Sequence, residues 1–118
     1  MNYLLDVNII LDNYDQIRSR KYQDSVNVFQ CLKNKKNAFV SSSSIDNIKF
    51  LKIKDLILGK GYSRKVASEI AKYMIQELIK CFNIAKTPSY IELDLDDIED
   101  PQVIASAKAV DAMVIARD

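Results

Sequence analysis

The sequence predicts an α/β domain: a three-layer α/β/α sandwich around a short, mostly parallel sheet. Three observations predict it. Short apolar runs of three to five residues, at Tyr3-Leu4-Leu5, Ala38-Phe39-Val40 and Ala112 to Ala116, have the length and flanks of buried strands. Segments with helical spacing separate them, and strands alternating with helices imply parallel pairing with both sheet faces covered. The length, 118 residues with 48% hydrophobic, suits one domain with its own core, so residues 1–118 are read as a single unit.

The elements follow in order. Tyr3-Leu4-Leu5 is the first strand, ending at Asp6-Val7-Asn8. A short helix is expected over Ile9 to Asn13, with Asn8 better placed than Asp6 to cap it. Tyr22, Val26, Phe29 and Leu32 have helical spacing, which predicts one helix over 20–36 with Ser19 as cap. Lys33, Lys35 and Lys36 crowd its C-terminal end, where the helix dipole favours cations. After the second strand, Ser41 to Ser44 offer an N-cap. A third helix carries Ile45, Ile48, Leu51 and Leu56, with Gly59 as the residue that stops it. Ser63 caps a long helix over about 64–82 with Val66, Ile70, Met74, Leu78 and Phe82 on one face. Asn83-Ile84-Ala85 suggests a short strand, and Thr87-Pro88 a turn or short helix. Asp100-Pro101 is a helix start, an Asp cap with Pro in the first turn; Val103, Ile104, Ala107 and Val110 follow.

Composition removes whole classes of chemistry. The chain has no histidine, which excludes His-based acid–base catalysis, Ser-His-Asp and Cys-His nucleophiles and imidazole zinc sites. Cys31 and Cys81 are too few for a four-thiolate zinc site. Both sit at apolar helical positions and read as reduced core thiols of a cytoplasmic protein. Gly59 and Gly61 lack the context of a phosphate-binding loop. No run approaches the ~20 apolar residues of a membrane span, and Met1-Asn2-Tyr3 opens no basic signal-peptide region. Carboxylate chemistry remains, or no chemistry.

The net charge of +1 conceals a division. Residues 1–17 carry Asp6, Asp12 and Asp15 and no cation. Residues 18–86 carry 15 Lys/Arg against five acids, and residues 87–118 carry eight acids against Lys108 and Arg117. Two acidic ends thus flank a basic middle suited to a phosphate backbone. In a parallel sheet the site lies at the carboxyl ends of the strands. Asp6 ends the first strand, Asp46-Asn47 follow the second, and Asp118 follows the last. Asp100 starts the helix leading into it, while Asp94, Asp96 and Asp97 read as a solvated acidic stretch. Carboxylates gathered at one edge repel unless a cation neutralises them, and hard oxygen ligands without His or Cys select Mg²⁺ or Mn²⁺.

Four segments carry a family resemblance. Leu4-Leu5-Asp6-Val7-Asn8-Ile9-Ile10-Leu11-Asp12 resembles the PIN-domain signature LLDTNVLLD. Val40 to Ile48 is similar to the run VSASAITDI of one bacterial branch, Asp97 to Ala107 to DFEDALQAASA, and Met113 to Asp118 to IVTRD. They stand in family order along the whole chain. The resemblance implies a Mg²⁺- or Mn²⁺-dependent ribonuclease acting on single-stranded RNA, like the toxins of VapBC-type toxin–antitoxin pairs, together with homodimerisation and a small antitoxin partner. It implies Asp6, Asp100 and Asp118 as catalytic metal ligands and Asn8 as the polar residue beside the first acid. The second acid falls in register on Asn47, with Asp46 one place earlier; Asp97 is supporting.

The chain departs from the pattern at Val7 and Ala116, where hydroxyl residues are usual, and at Asn47. It also stops where relatives continue into a further strand, so a sheet without that strand is expected. The alternative reading is a degenerate PIN fold that binds RNA or a protein without cutting. A phospho-acceptor receiver domain would need an acidic pair after the first strand and a late Lys. Leu5-Asp6-Val7 supplies one acid, and no Lys follows Lys108.

Overall fold

Leu4 and Leu5 are both fully buried although they point to opposite faces of the strand, because that strand lies in the middle of a sheet covered on both sides. It is β1 (Asn2–Leu5). In this computed structural model, which describes residues 1–87 and 101–117, β1 pairs in parallel with β2 (Ala38–Ser41) on one side and β4 (Ala112–Ile115) on the other. β3 (Asn83–Ala85) adds to β2, so the order is β3-β2-β1-β4, all parallel.

Among the described residues, six helices flank this sheet in two layers: α1 (Val7–Tyr14), α2 (Gln16–Lys21), α3 (Gln23–Leu32), α4 (Ser42–Lys60), α5 (Arg64–Cys81) and α6 (Pro101–Ala109). One layer packs on Leu5, Ala38 and Val40 through Ile9, Ile10, Phe29, Ile48, Met74 and Leu78. Phe29 is its centre, meeting Tyr14 and Phe82 edge-on at 5.5 and 5.0 Å between ring centroids. The opposite layer is α6, whose Val103 and Ala107 pack on Leu4 and Ala85, with Phe39 and Val114 around them. The expected three-layer α/β/α architecture is thus observed. No helix among the described residues is long and apolar enough to cross a membrane.

Where the chain departs from its local signals, tertiary contacts explain the difference. The expected helix over 20–36 is interrupted: α2 ends at Lys21 and α3 covers Gln23–Leu32. Asp15 caps α2 by accepting the Ile17 and Arg18 N–H groups, and the chain leaves helical geometry at Tyr22, with φ −119° and ψ 63°. Ser19 is therefore no cap. It lies inside α2 and donates its hydroxyl to the Asp12 carbonyl at 2.6 Å. α3 ends at Leu32, and Asn34, at φ 64°, turns the chain, so Lys35 and Lys36 lie beyond the helix.

Ser41 caps α4 as expected, its Oγ accepting the Ser44 N–H at 3.1 Å. That helix runs through Gly59 and stops at Gly61, whose φ of 71° is the left-handed conformation glycine adopts freely. Ser63 caps α5 as expected, accepting the Val66 N–H at 3.2 Å. The first half of α5 is rotated from the expected stripe: Ala67 and Ala71 are buried and Val66 is exposed, small residues serving where α5 lies along α4. Cys31 is exposed rather than in the core, because α3 turns Ser25 and Phe29 inward; Cys81 is half-buried, and both thiols are free. Pro88, Asp94 and Asp96 lie outside the described residues.

Candidate functional site

The carboxyl edge of the sheet is where this topology makes a crevice. From β1 the chain proceeds to β2 on one side, then β3, and returns to place β4 on the other side of β1. The carboxyl ends of β1 and β4 therefore form the switch point, the usual ligand position in an open parallel sheet. Asp6 stands there. Its N–H donates to the Ile115 carbonyl at 2.9 Å, closing the ladder between the two strands.

Asp6 occupies the N-cap position of α1 in extended geometry, yet its carboxylate accepts no N–H of that helix. A capping Asp is ordinarily spent on such a bond; the half-buried Asp6 carboxylate has no hydrogen-bond partner among the described residues. Asn8, expected as the better cap, is instead half-buried inside the first turn of α1.

Asp12 is the feature the sequence reading did not single out. It is fully buried, and its carboxylate is engaged by Arg117, whose Nε donates to Oδ2 and Nη2 to Oδ1, the latter at 3.1 Å. Arg18 adds Nη1 at 3.6 Å from Oδ1. The Arg117 guanidinium carbon lies over the Tyr22 ring, 3.6 Å from its centroid. The hydrogen bond to Asp12 raises the Arg117 pKa above its ordinary value, and the field of Asp6 adds to that. Both oxygens of Asp12 are therefore engaged by arginine cations. One signal for it is present in sequence: an acid closing the apolar run Ile9-Ile10-Leu11 on a helix must be paired if that face is buried. Its partner, 105 positions away, has no local signature.

Asp46 and Asn47 lie in the early turns of α4, and both side chains are exposed. They point about 100° apart around the helix. Asn47 shares its stripe with Leu51 and Asp55, which line a groove of about 430 Å³ between α4 and the α1–α2 corner, together with Leu11, Arg18 and Lys52. Asp46 shares its stripe with the exposed Phe50. Asp97, Asp100 and Asp118 lie outside the described residues; α6 begins at Pro101 and β4 ends at Ile115.

The serine run has a structural assignment. Ser41 Oγ bonds Ser44, while Ser42 Oγ donates to Thr87 Oγ1 at 3.1 Å and accepts the Thr87 N–H at 2.9 Å. Thr87 Oγ1 also accepts the Ser43 N–H at 3.1 Å and lies 3.0 Å from Ser106 Oγ. Ser106 is in turn 2.8 Å from the Gln102 carbonyl. A carbonyl cannot donate, so Ser106 gives its proton to Gln102 and Thr87 gives its own to Ser106. One hydroxyl thereby ties the exit of β3 to the start of α4 and to α6.

Among the described residues no three His, Cys, Asp or Glu side chains converge closely enough to hold a metal ion. Asp6 offers hard carboxylate oxygens at a half-buried edge, the donor type that Mg²⁺ and Mn²⁺ take. Compared with known protein families, curated proteins and solved structures, the chain has no match in any of the three.

Proposed function

We propose that the chain is a PIN-type endoribonuclease that hydrolyses single-stranded RNA at a carboxylate site built on Asp6. The observation that carries this reading is the unspent Asp6 carboxylate at the β1/β4 switch point of an all-parallel sheet. The four motif segments support it by their order along the chain. On this reading Asp6, Asp100 and Asp118 are the ligands, Asn47 or Asp46 assists from α4, and Asn8 and Asp97 support them. Mg²⁺ or Mn²⁺ bound there supplies Lewis acidity for phosphodiester hydrolysis.

The protein's own residues do the binding. Exposed Arg20, Lys21, Lys49 and Lys54 offer cations to the phosphate backbone, while Lys52 is spent inside, its Nζ donating to the Tyr14 carbonyl at 3.4 Å. The same reading makes the protein a cytoplasmic toxin with a small antitoxin and a second copy of itself as partners.

The test is cleavage of single-stranded RNA with Mn²⁺ or Mg²⁺, comparing wild type with Asp6→Asn and Asp100→Asn. Loss of cleavage in both variants and in EDTA is the expected result; cleavage that persists in them refutes the assignment. A second reading, a PIN-like fold that binds RNA or a protein without cutting, is favoured by the exposed amide at Asn47 in the register of the second acid. Asn47→Asp separates the two. It raises metal affinity and cleavage under the first reading and gains nothing under the second.

A further inference from the structure

The chain bends at Tyr22 between α2 and α3, and the bend leaves the start of α3 open. The Tyr22 side chain makes no capping bond, and the N–H groups of Gln23, Asp24 and Ser25 find no acceptor among the described residues. The ladder of the helix begins with the Val26 N–H on the Tyr22 carbonyl at 3.3 Å. Open N–H groups at a helix start carry partial positive charge. The residues that bear them line a pocket of about 310 Å³ with Lys21, Tyr22 and Arg117.

Water ordinarily satisfies an open helix start, but Ser25 asks for more. It is 4% exposed and lines this pocket, yet its hydroxyl has no hydrogen-bond partner among the described residues. A buried hydroxyl left without a partner is costly, so its position on a pocket wall points to a ligand that accepts from it. Two cations also gather at the Tyr22 ring: the Arg117 guanidinium carbon is 3.6 Å from its centroid and Lys21 Nζ 5.3 Å. Asp12 balances Arg117, whereas Lys21 makes no ion pair among the described residues. Asp24 is exposed on the same wall, and its charge opposes an anion.

We propose that this pocket binds a phosphate group. The Gln23, Asp24 and Ser25 N–H groups and the Ser25 hydroxyl donate to its oxygens, and Lys21 balances its charge. N–H groups at a helix start are a ready-made phosphate site, and bonds to an ionised acceptor are the strong ones. The group is either free or carried on a nucleotide, with the same chemistry at the pocket. The proposal does not rest on Asp6 holding a metal.

The test follows the backbone amides of the full chain by heteronuclear NMR as inorganic phosphate is added, with sodium chloride at equal ionic strength as the control. The Gln23, Asp24 and Ser25 amides should shift together and saturate with phosphate but not with chloride. Ser25→Ala keeps a good helix former in α3 and should bind about tenfold more weakly, through loss of one bond to a charged group. Lys21→Gln should weaken binding about two- to fivefold and Asp24→Asn strengthen it by as much, the range for exposed charges.

A nucleoside monophosphate and its nucleoside identify the source. Tighter binding of the nucleotide than of phosphate supports the proposal and assigns the pocket to nucleotides; equal binding supports it and assigns the pocket to phosphate itself. A nucleoside that moves the same amides as strongly as its nucleotide overturns it. So do three amides that stay still or respond equally to chloride, or an unchanged affinity in Ser25→Ala.

Discussion

Thr87→Val removes one oxygen and almost no volume, so it isolates the hydroxyl junction that joins β3, α4 and α6. Three contacts end with it: the bond from Ser43 N–H, the bond from Ser42 Oγ and the bond to Ser106. The Thr87 N–H keeps Ser42 Oγ. A neutral hydrogen bond contributes about 1 kcal/mol net, and a buried group left without its partner costs about 1–3 kcal/mol. Ser106 is fully buried and keeps the Gln102 carbonyl, whereas Ser43 is half-buried and water can replace part of what it loses.

The sum is a destabilisation of about 2–3 kcal/mol. For a chain of this length that lowers Tm by about 6–15 °C. Urea unfolding followed by far-ultraviolet circular dichroism measures it, with an unchanged m-value confirming that the native state is otherwise kept. Thr87→Ser, which retains the hydroxyl, should recover most of the loss. A loss below about 0.5 kcal/mol, the range of ordinary surface changes, would refute the junction.

Two further substitutions test local geometry. Gly59→Ala should stabilise by up to about 1 kcal/mol, since the site is helical and the new Cβ meets only the mobile end of Asp55 at 3.3 Å. Gly61→Ala should destabilise by about 1–2 kcal/mol, because φ is 71° although no atom lies within 4 Å; equal signs in urea melts would place the helix end elsewhere. Asp15→Ala removes the α2 cap at a cost of about 1 kcal/mol. The Arg18 N–H, and then the Ile17 N–H, hold the Asp15 carboxyl below its ordinary value of 3.8, against partial desolvation. The cap's contribution is therefore fully present above about pH 4 and lost as pH falls through the lowered pKa. A gap between wild type and variant that stays constant down to pH 2 would contradict that.

The strands were legible as continuous apolar runs: β1 and β2 lie inside the sheet and bury Leu4, Leu5, Ala38 and Val40, whereas β4 is apolar throughout yet leaves Met113 exposed. Ser41 and Ser63 were legible as caps because a cap acts within three residues of itself. The break at Tyr22 and the end of α4 were not legible. Helical spacing continues through both, and the break is occupied by a ring that stacks on Arg117, a contact with no local trace. At the site, Asp6 was marked by its place after the first apolar run, and the structure sets it at the switch point. The buried pairing of Asp12 with Arg117 joins the two ends of the chain and needs the closed sheet to exist.

Short-range physics was written in the sequence: hydrophobic period, cap chemistry, the absence of histidine, and acidic ends around a basic middle. These determined the α/β class and left carboxylate chemistry or none. The tertiary structure decided which carboxylate is spent and which is left unspent. Asp6 and Asp12 are six positions apart in one motif, and the partner of Asp12, 105 positions away, has no local signature. β4 arrives beside β1 and brings Arg117 to Asp12, because a buried charge must be paired, while Asp6 remains uncapped at the strand end.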